Sequence, residues 1–562
     1  MFIDRLGEVK MSNTWWKEAV VYQIYPKSYY DSHGDGIGDL AGITEKLDYI
    51  QSLGTNVIWL CPIFKSPMKD NGYDIADYSV VDPIFGDNKA LDKLISEAKK
   101  RDIKILLDLV LNHSSDEHPW FKAALDDPNS PYAGYYIFKQ WDKPTPPNNL
   151  RTYFDCSVWS RVGNTDRWYF NSFGPEQPDL NWENPQLRKD IIDMINVWIK
   201  KGVAGFRIDA IGNLKKSPEA LSEYQFEPDK DDGSASLVPW VLNQPGIDKF
   251  LTELTENTFR PANSMTVAEI DVPEKDLRAY VGENGYFSMV FDFSIADLDI
   301  RNEKPFTINP ITGERLKPVF IKSQLDTQRV GWGAPYLENH DQPRSLNKFL
   351  PKGAINPISA KMLATFLLTQ RGTPFIYQGQ EIGMTNCPMT LEEHDDLHVF
   401  KLHEWGKKLG YSDKQMIEYF NERSRDNSRT PFQWNGKING GFSTGKPWLK
   451  VNPNYTQINA KQQMEDKHSL FAYYQQLIAL RRHSDISDIL IYGGFFPLDS
   501  PENVIAFKRT YEGYSVNIYC NFSGEKKTLT LKVKQTYLHN SPIVEDAKGN
   551  LILQPYQAII FA

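Results

Sequence analysis

Short apolar runs alternate along the chain with longer segments in which apolar residues recur every three or four positions. The runs are typical of buried strands, and the longer segments are typical of amphipathic helices. Eight strand–helix units in series fit an α/β fold, a closed parallel (β/α)8 TIM barrel, better than an open doubly wound sheet. Active sites of such barrels lie at the carboxyl ends of the strands. The predicted strands are residues 20–26, 56–62, 103–113, 203–210, 265–270, 287–293, 334–341 and 374–381.

Two regions depart from this alternation. After the third strand, roughly 70 residues are rich in Trp, Tyr, Pro, Asn and Asp, and a structureless loop of that length is improbable in a compact domain. From residue 485 onward, the pattern is typical of antiparallel hairpins. A second insertion, residues 223–240, follows the fourth strand and is predicted to be a mobile rim. We therefore predict a barrel of residues 11–113 and 184–484, an inserted subdomain of 114–183, and a C-terminal antiparallel β-sandwich domain of 485–562.

The fourth predicted strand contains two charges in the apolar hexapeptide GFRIDA, residues 205–210. Residues two apart in a strand point to the same side, so Arg207 and Asp209 share one face while Phe206 and Ile208 share the other. A buried ion pair that only stabilises the fold is one explanation. Other strands also end in polar clusters, DLVLNH, VAEI, ENHD and YQGQE, which favours a functional site at their carboxyl ends.

The composition excludes several classes of partner. A net charge of -9 over 562 residues argues against nucleic acid and anionic membranes. No apolar run reaches the ~18 residues of a membrane span, and the N-terminal MFIDRLGEVK is too charged for a signal peptide. We expect a cytoplasmic protein whose translation starts at Met1 or Met11. The four scattered cysteines favour reduced thiols over a disulfide framework.

Three carboxylates end predicted strands four, five and seven: Asp209, Glu269 and Asp341. Their convergence on one barrel mouth has two explanations, a metal site or acid–base chemistry of the glycosidase type. The nearby histidines, His113 and His340, lack metal-ligand spacing, which favours the second. A retaining glycosidase needs one ionised nucleophile and one carboxylic acid.

The neighbours of the two carboxylates suggest which is which. A guanidinium on the same face, that of Arg207, should lower the pKa of Asp209 and keep it charged. The apolar TVA before Glu269 should desolvate that carboxyl and raise its pKa toward the range of a general acid.

Five segments in order, DLVLNH, QPDLNWENP, GFRIDA, VAEI and ENHDQPR, resemble glycoside hydrolase family 13, the α-amylase family. The similarity extends from Trp15 over nearly the whole chain and is greatest to the oligo-1,6-glucosidase and α-glucosidase group, which includes dextran glucosidases. The resemblance implies that Asp209 is the nucleophile, Glu269 the acid/base and Asp341 a stabiliser of the distorted sugar. It also implies that the sugar is bound by His113, Arg207 and His340, with Asp108 and Asn112 in support.

In this group, KDNGYD and RDNSRTPFQW form the closed end of the substrate pocket. By the resemblance, an Asp70–Arg425 pair would hold the outermost hydroxyls of a non-reducing glucose and make the enzyme exo-acting, with Tyr73 and Asp74 beside it. The alternative is a surface ion pair worth under ~1 kcal/mol.

The segment DSHGDGIGD, residues 31–39, alternates aspartates like a calcium loop. Relatives in this group often bind calcium or magnesium here, but this chain has His33, a softer ligand that suits calcium poorly. We predict at most a structural Ca²⁺, and no organic cofactor. Its ligands would be Asp31, Asp35, the Ile37 carbonyl and Asp39.

The linkage is suggested by the residue after the nucleophile, which in this group is commonly Val in α-1,6-cleaving enzymes. Here it is Ala210, and VAEIDV lacks the Trp that follows the acid/base in dextran glucosidases. We therefore expect α-1,4 or mixed specificity on a small oligosaccharide, in a monomer. The alternatives are a strict oligo-1,6-glucosidase, and a transglucosylase or sucrose isomerase on the same scaffold. A non-catalytic relative, such as a transporter heavy-chain ectodomain, is disfavoured because all three carboxylates are present.

Overall fold

A computed structural model describes residues 12–300 and 305–562, so the alternative start Met11 lies outside the described residues. A parallel sheet contains seven strands, and neighbours in the chain are neighbours in the sheet from the first to the sixth. The last strand pairs with the first, Val21 opposite Phe375, as in a barrel. The strands are Val21–Ile24, Val57–Leu60, Lys104–Val110, Gly205–Asp209, Met265–Ala268, Met289–Val290 and Phe375–Tyr377.

The seventh position of the predicted barrel is filled by residues 333–335, which do not form a regular strand. Gly333 bridges Val290 of the sixth strand in parallel. On the other side, the Gly333 and Pro335 carbonyls accept from the amides of Thr373 and Phe375, at 3.0 and 2.9 Å. Proline has no amide hydrogen to donate to a ladder. The sheet therefore curls closed as predicted, with one irregular position.

Amphipathic helices cover the outside of the sheet. In one of them, Pro185–Lys200, proline occupies the first turn and the Asn184 side chain accepts from the amides of Gln186 and Leu187, so the start is fixed by local sequence. The α-helices are Leu40–Glu45, Leu47–Leu53, Asn88–Lys100, Pro119–Asp126, Pro185–Lys200, Val238–Val241, Ile247–Asn257, Leu277–Val281, Phe293–Ala296, Gly313–Val330, Ser345–Phe349, Pro357–Leu368, Leu397–Lys408, Asp413–Arg423, Asp426–Arg429, Ala460–Glu465, Leu470–His483 and Ser487–Tyr492.

The insertion after the third strand forms a small antiparallel sheet of Phe138–Gln140, Arg167–Phe170 and Trp159–Arg161. The second insertion, predicted as a rim, pairs with it through Ala235–Ser236 against Leu150–Arg151. The two insertions also share an apolar cluster that includes Trp159, Phe226 and Leu237. The second insertion is thus packed onto the first.

The C-terminal region forms a five-stranded antiparallel sheet and a two-stranded one. Alternate residues of Val504–Tyr511 face opposite ways, since Phe507 belongs to the barrel core and Ala506 packs against the smaller sheet. The larger sheet contains Gly494–Pro497, Val504–Tyr511, Tyr514–Asn521, Ala558–Phe561 and Thr536–His539, and the smaller Lys527–Leu529 and Leu551–Leu553.

A buried guanidinium joins this sheet to the barrel. Arg509 is inaccessible to solvent and donates to the Thr369 carbonyl at 2.8 Å, just after helix Pro357–Leu368. It also donates to the carbonyls of Gly493 and Ile491, at 2.8 and 3.2 Å. Both sides of the junction therefore depend on one side chain.

Two expectations from composition concern the whole chain. All four cysteines are free thiols. Within residues 12–300 and 305–562, no helix is long and apolar enough to cross a membrane.

One buried acid of the barrel gives a prediction for stability. Glu381 follows the last barrel strand and accepts hydrogen bonds from the hydroxyls of Tyr22 and Tyr49, at 2.7 and 2.6 Å. Burial raises its pKa to about 7. The folded protein therefore holds a proton that the unfolded chain releases near its ordinary pKa, so stability falls as the pH rises between those values.

We expect Glu381→Gln to remove this dependence. Relative to the variant, the wild type should lose about 3 kcal/mol of unfolding free energy between pH 4.5 and pH 7. Melting temperatures of both proteins across this range measure the difference, with exposed Glu404→Gln as the control that should follow the wild type. Parallel curves for wild type and Glu381→Gln would contradict the assignment.

Candidate active site

Arg207 lies at the centre of the barrel mouth and binds three carboxylates. Its Nη1 donates to Asp108 Oδ1 at 2.7 Å and to Asp209 Oδ1 at 2.9 Å. Its Nη2 lies 2.7 Å from Glu269 Oε2. The predicted shared face of Arg207 and Asp209 is therefore confirmed, and a third acid, Asp108, completes the group.

The backbone explains why Asp209 and Glu269 meet. Ile208 pairs with Ala268 across the fourth and fifth strands, and the Glu269 amide donates to the Ile208 carbonyl at 2.9 Å. Directly after Asp209, Ala210 has a left-handed φ of 43°, which turns the chain out of the strand. Asp209 thus ends the fourth strand, and Glu269 directly follows the fifth.

The protonation of this pair differs from the expectation. Burial raises the pKa of Asp209 well above its usual range. Arg207 opposes this, and the neighbouring carboxylates of Glu269 and Asp108 raise it further. Arg207 lowers the pKa of Asp209 as predicted, but burial and Glu269 outweigh it, so the net shift is upward, against the expectation that Arg207 keeps Asp209 charged. The raised pKa favours the protonated form of Asp209, whereas a retaining glycosidase requires an ionised nucleophile, so Asp209 must lose its proton before it attacks a sugar.

The third carboxylate, Asp341, lies against two arginines and a histidine. Its Oδ1 accepts from Arg429 Nη2 at 2.8 Å and from Arg425 Nη1 at 3.3 Å, and its Oδ2 lies 2.9 Å from His340 Nε2. Although burial raises the pKa of Asp341, His340 and the two arginines lower it well below its usual range. Asp341 is therefore an anion in the free protein.

Tyr73 and the two histidines form the polar wall of the mouth. The Tyr73 hydroxyl lies 2.7 Å from His340 Nε2 and donates to Asp108 Oδ2 at 3.1 Å. His113 Nε2 lies 3.0 Å from the Tyr73 carbonyl. Burial lowers the pKa of His113 to about 4, so it is neutral at pH 7. Outside it, the ring of Phe173 lies 4.9 Å from that of His113.

The predicted Asp70–Arg425 pair is present but loose. Arg425 Nη2 lies 3.9 Å from Asp70 Oδ1, and Asp70 accepts from Gln177 Nε2 at 3.0 Å. Arg425 instead forms a bidentate ion pair with Asp396, to which its Nε and Nη2 donate at 2.8 and 2.6 Å. Burial raises the pKa of Asp70 to about 6. The structure brings the predicted pair together and adds a stronger partner.

Asp74 has a different position from the other predicted binding residues. It is inaccessible to solvent, and its carboxylate accepts from the Ser66 hydroxyl at 2.9 Å and from the amides of Lys69 and Asp70, each at 3.0 Å. It therefore holds the loop that carries Asp70 and does not face the pocket.

The aspartates of the predicted calcium loop accept hydrogen bonds from the loop itself and from a distant segment. The Asp31 carboxylate accepts from the amides of His33, Gly34 and Gly36, and from the Ser443 hydroxyl. Asp39 caps helix Leu40–Glu45 and lies 3.0 Å from His33 Nδ1. Asp35 accepts from the Ile37 amide at 2.9 Å.

The aspartates of this loop thus stabilise its turns. Within the described part of the chain, no three His, Cys, Asp or Glu side chains form a group that could hold a metal ion. A structural Ca²⁺ at this loop stays a prediction, and no step of the chemistry is assigned to it.

Four side chains of the site were not predicted from the sequence. Arg429 lies four residues after Arg425, a spacing that places both on one helical face and could have identified it. The signal for Gln177 was its place in the quoted motif QPDLNWENP. Asp396 and Lys216 have no such signal, because they come from loops outside every motif.

Lys216 is a buried cation beneath the site. Its Nζ lies 2.7 Å from Asp179 Oδ2 of the inserted subdomain and donates to Asn112 Oδ1 at 2.7 Å. Both charged side chains are almost wholly buried, at 2% and 0% exposure. The ammonium group therefore joins the barrel to the insertion.

Lys216→Met should destabilise the fold by roughly 3–5 kcal/mol, because it leaves the Asp179 carboxylate buried without its partner. The adjacent Lys215→Met is the matched control; Lys215 contacts Glu183 at the surface and should contribute under ~1 kcal/mol. Calorimetric melting of both variants measures the loss of stability that each substitution causes. Equal, small shifts would show that the buried pair contributes little.

Comparisons with known proteins agree with this geometry. The family model described as alpha amylase, catalytic domain, matches residues 23–493. The chain is 39% identical to an oligo-1,6-glucosidase of Bacillus cereus, over 98% of this chain and 100% of the relative. It is 38% identical to the trehalose-6-phosphate hydrolase of Bacillus subtilis (strain 168), over 97% and 98%. A crystal structure of isomaltulose synthase from Klebsiella sp. LX3 superposes with a TM-score of 0.90 at 35% identity, covering 97% of this chain and 99% of that one.

The curled barrel, the carboxylates at its mouth and these relatives define a glycoside hydrolase that acts on α-glucosidic bonds. The chain belongs to the α-amylase family, glycoside hydrolase family 13. The resemblance noted from its motifs is therefore confirmed.

Proposed function

We propose that this protein is an exo-acting, retaining α-glucosidase that releases glucose from the non-reducing end of short oligosaccharides. The observation that supports this proposal is the arrangement of charged side chains at the two ends of the pocket. Asp209 and Glu269 both bind Arg207 at one end, and Arg425 lies between Asp341 and Asp70 at the other. A pocket closed by charged side chains admits one terminal sugar ring.

The residues suit a two-step displacement. The Asp209 carboxylate attacks the anomeric carbon while Glu269 gives its proton to the departing oxygen, so one C–O bond forms as the glycosidic C–O bond breaks. Glu269 then takes a proton from water, which cleaves the glycosyl ester and restores both acids. The ionised Asp341 accepts sugar hydroxyls, and Arg207 balances the charge of the carboxylates it contacts.

The relatives favour α-1,6 linkages over the α-1,4 or mixed specificity expected from Ala210. Several of them are named oligo-1,6-glucosidases, at 38–40% identity over nearly the full chain. The left-handed backbone of Ala210 also gives a local reason for its identity, because a β-branched residue is strained at such a φ. Short α-1,6-linked glucosides are therefore our proposed substrates.

A sucrose isomerase is the second candidate, since the superposition on isomaltulose synthase covers nearly the whole chain. Both candidates share the glycosyl-enzyme step and differ in the acceptor, water or a sugar hydroxyl. The catalytic residues are the same in both, so only the products distinguish them.

The test is a rate comparison on isomaltose, maltose, sucrose, trehalose, trehalose 6-phosphate and longer homologues, with products followed by NMR. We expect isomaltose and its homologues to react fastest. On p-nitrophenyl α-glucoside, whose leaving group is not a sugar, α-glucose should appear first, and initial β-glucose would contradict retention. Isomerised disaccharide from sucrose, in place of free glucose and fructose, would favour the second candidate.

A further inference from the structure

We propose that Asp396 is a positioning residue that fixes Arg425 at the closed end of the pocket and so limits the pocket to one glucose unit. The inference deepens the proposed function and rests on it. Asp396 lies on the loop before helix Leu397–Lys408, its side chain is 2% exposed, and the substrate would not touch it.

The distances show which carboxylate orients Arg425. Asp396 accepts from Nε at 2.8 Å and from Nη2 at 2.6 Å, a two-pronged geometry that fixes the plane of the guanidinium. On the pocket side the contacts are longer. Arg425 Nη1 lies 3.3 Å from Asp341 Oδ1, and Arg425 Nη2 lies 3.9 Å from Asp70 Oδ1. The contacts on the pocket side are therefore the weaker ones, and their geometry follows from the contact behind them.

Asp396 is itself held in place from two directions. Its carboxylate caps helix Leu397–Lys408 by accepting from the His398 amide at 3.0 Å. Its own amide donates to Asp426 Oδ2 at 3.1 Å, and the same oxygen accepts from the Asp395 amide at 2.9 Å and lies 3.0 Å from His394 Nδ1. Because Asp426 directly follows Arg425, these contacts also fix the position of the Asp396 loop relative to the arginine.

The inference makes a specific statement about substrate contacts. With a sugar bound as proposed, its anomeric carbon at Asp209 and Glu269, the side chains of Arg425 and Asp70 would meet the opposite end of the ring, where the 4-hydroxyl lies. If Asp396 acts through Arg425, its removal should weaken binding of a sugar that has this hydroxyl and should leave the chemical step intact. A merely structural role would lower the activity on every substrate alike.

The experiment compares wild type, Asp396→Asn and Asp396→Ser on p-nitrophenyl α-glucoside and its 4-deoxy analogue. Serine keeps the helix cap and removes the carboxylate, so it protects against a folding defect. We expect KM for the glucoside to rise roughly 10–100-fold, as for loss of a charged hydrogen bond, with kcat nearly unchanged. The 4-deoxy analogue should show little further change. Asp395→Asn is the matched control, since its side chain is 45% exposed and lies 3.9 Å from Lys27 Nζ.

Two results would overturn the proposal: an unchanged KM in both variants, or an equal loss on both substrates. Failure of the proposed function looks different, because the wild type would then release no glucose from any glucoside. In that event, calorimetric binding of glucose to Asp209→Asn with and without Asp396→Asn still tests the positioning role. Equal affinities would refute it.

Discussion

Asp209→Asn is expected to lower kcat by roughly 10⁴-fold on every glucoside, because the amide cannot form the glycosyl ester. The fold should not suffer. Asp209 is buried against Glu269, and both burial and this neighbour raise its pKa, so a neutral side chain removes repulsion between the two acids. Steady-state rates together with a melting curve test both statements.

A second variant separates loss of the nucleophile from general damage. In Asp209→Ala, added azide can occupy the vacated space and attack the anomeric carbon directly, giving β-glucosyl azide from an α-glucoside. We expect this product only with the variant. Near-normal activity of Asp209→Asn, or no azide product from a folded Asp209→Ala, would mean that another residue is the nucleophile.

Glu269→Gln should have an effect that depends on the leaving group. The amide cannot supply a proton, so hydrolysis of isomaltose should fall by roughly 10²–10⁴-fold. A dinitrophenyl α-glucoside needs no protonation to leave, so its first turnover should persist as a rapid burst of dinitrophenolate before slow hydrolysis of the ester. Stopped-flow absorbance shows whether this burst is present.

The same variant should shift the acid limb of kcat/KM. Burial and the Glu269 carboxylate both raise the pKa of Asp209, and the amide removes the second contribution. The pKa of Asp209 should fall, and the acid limb should move to lower pH. Equal rate losses on both substrates, with no burst and an unmoved acid limb, would remove Glu269 from the acid/base role.

Local patterns in the sequence were sufficient to predict the barrel and the catalytic carboxylates. Strand periodicity predicted the order of the units. Alternation within GFRIDA predicted that Arg207 and Asp209 share one face, and in the structure Arg207 Nη1 donates to Asp209 Oδ1 at 2.9 Å. The seventh strand is irregular because Pro335 interrupts its ladder. The irregularity of this strand could itself be predicted in part, because proline cannot donate to a strand ladder.

Contacts between distant segments could not be predicted in this way. The raised pKa of Asp209 depends on the register between the fourth and fifth strands, which brings Glu269 against it. Likewise, Asp396 competes with Asp70 for Arg425 from a loop that no motif includes. The aspartates of residues 31–39 show a second limit of sequence patterns. Turn capping and calcium binding favour the same residue type at the same spacing, so the pattern alone does not separate the two.

The Arg509 junction has a consequence for chimeric enzymes. Exchange of C-terminal sheets between relatives appears simple from the sequence, since the sheet is a continuous segment. However, the Arg509 guanidinium binds the barrel carbonyl of Thr369 and the carbonyls of Ile491 and Gly493 at the end of helix Ser487–Tyr492. In addition, Phe507 packs on Phe320 of helix Gly313–Val330. A graft that begins at Gly494 would pair a donor arginine with foreign carbonyl positions. The transplantable unit therefore includes helices Gly313–Val330, Pro357–Leu368 and Ser487–Tyr492, as well as the sheet.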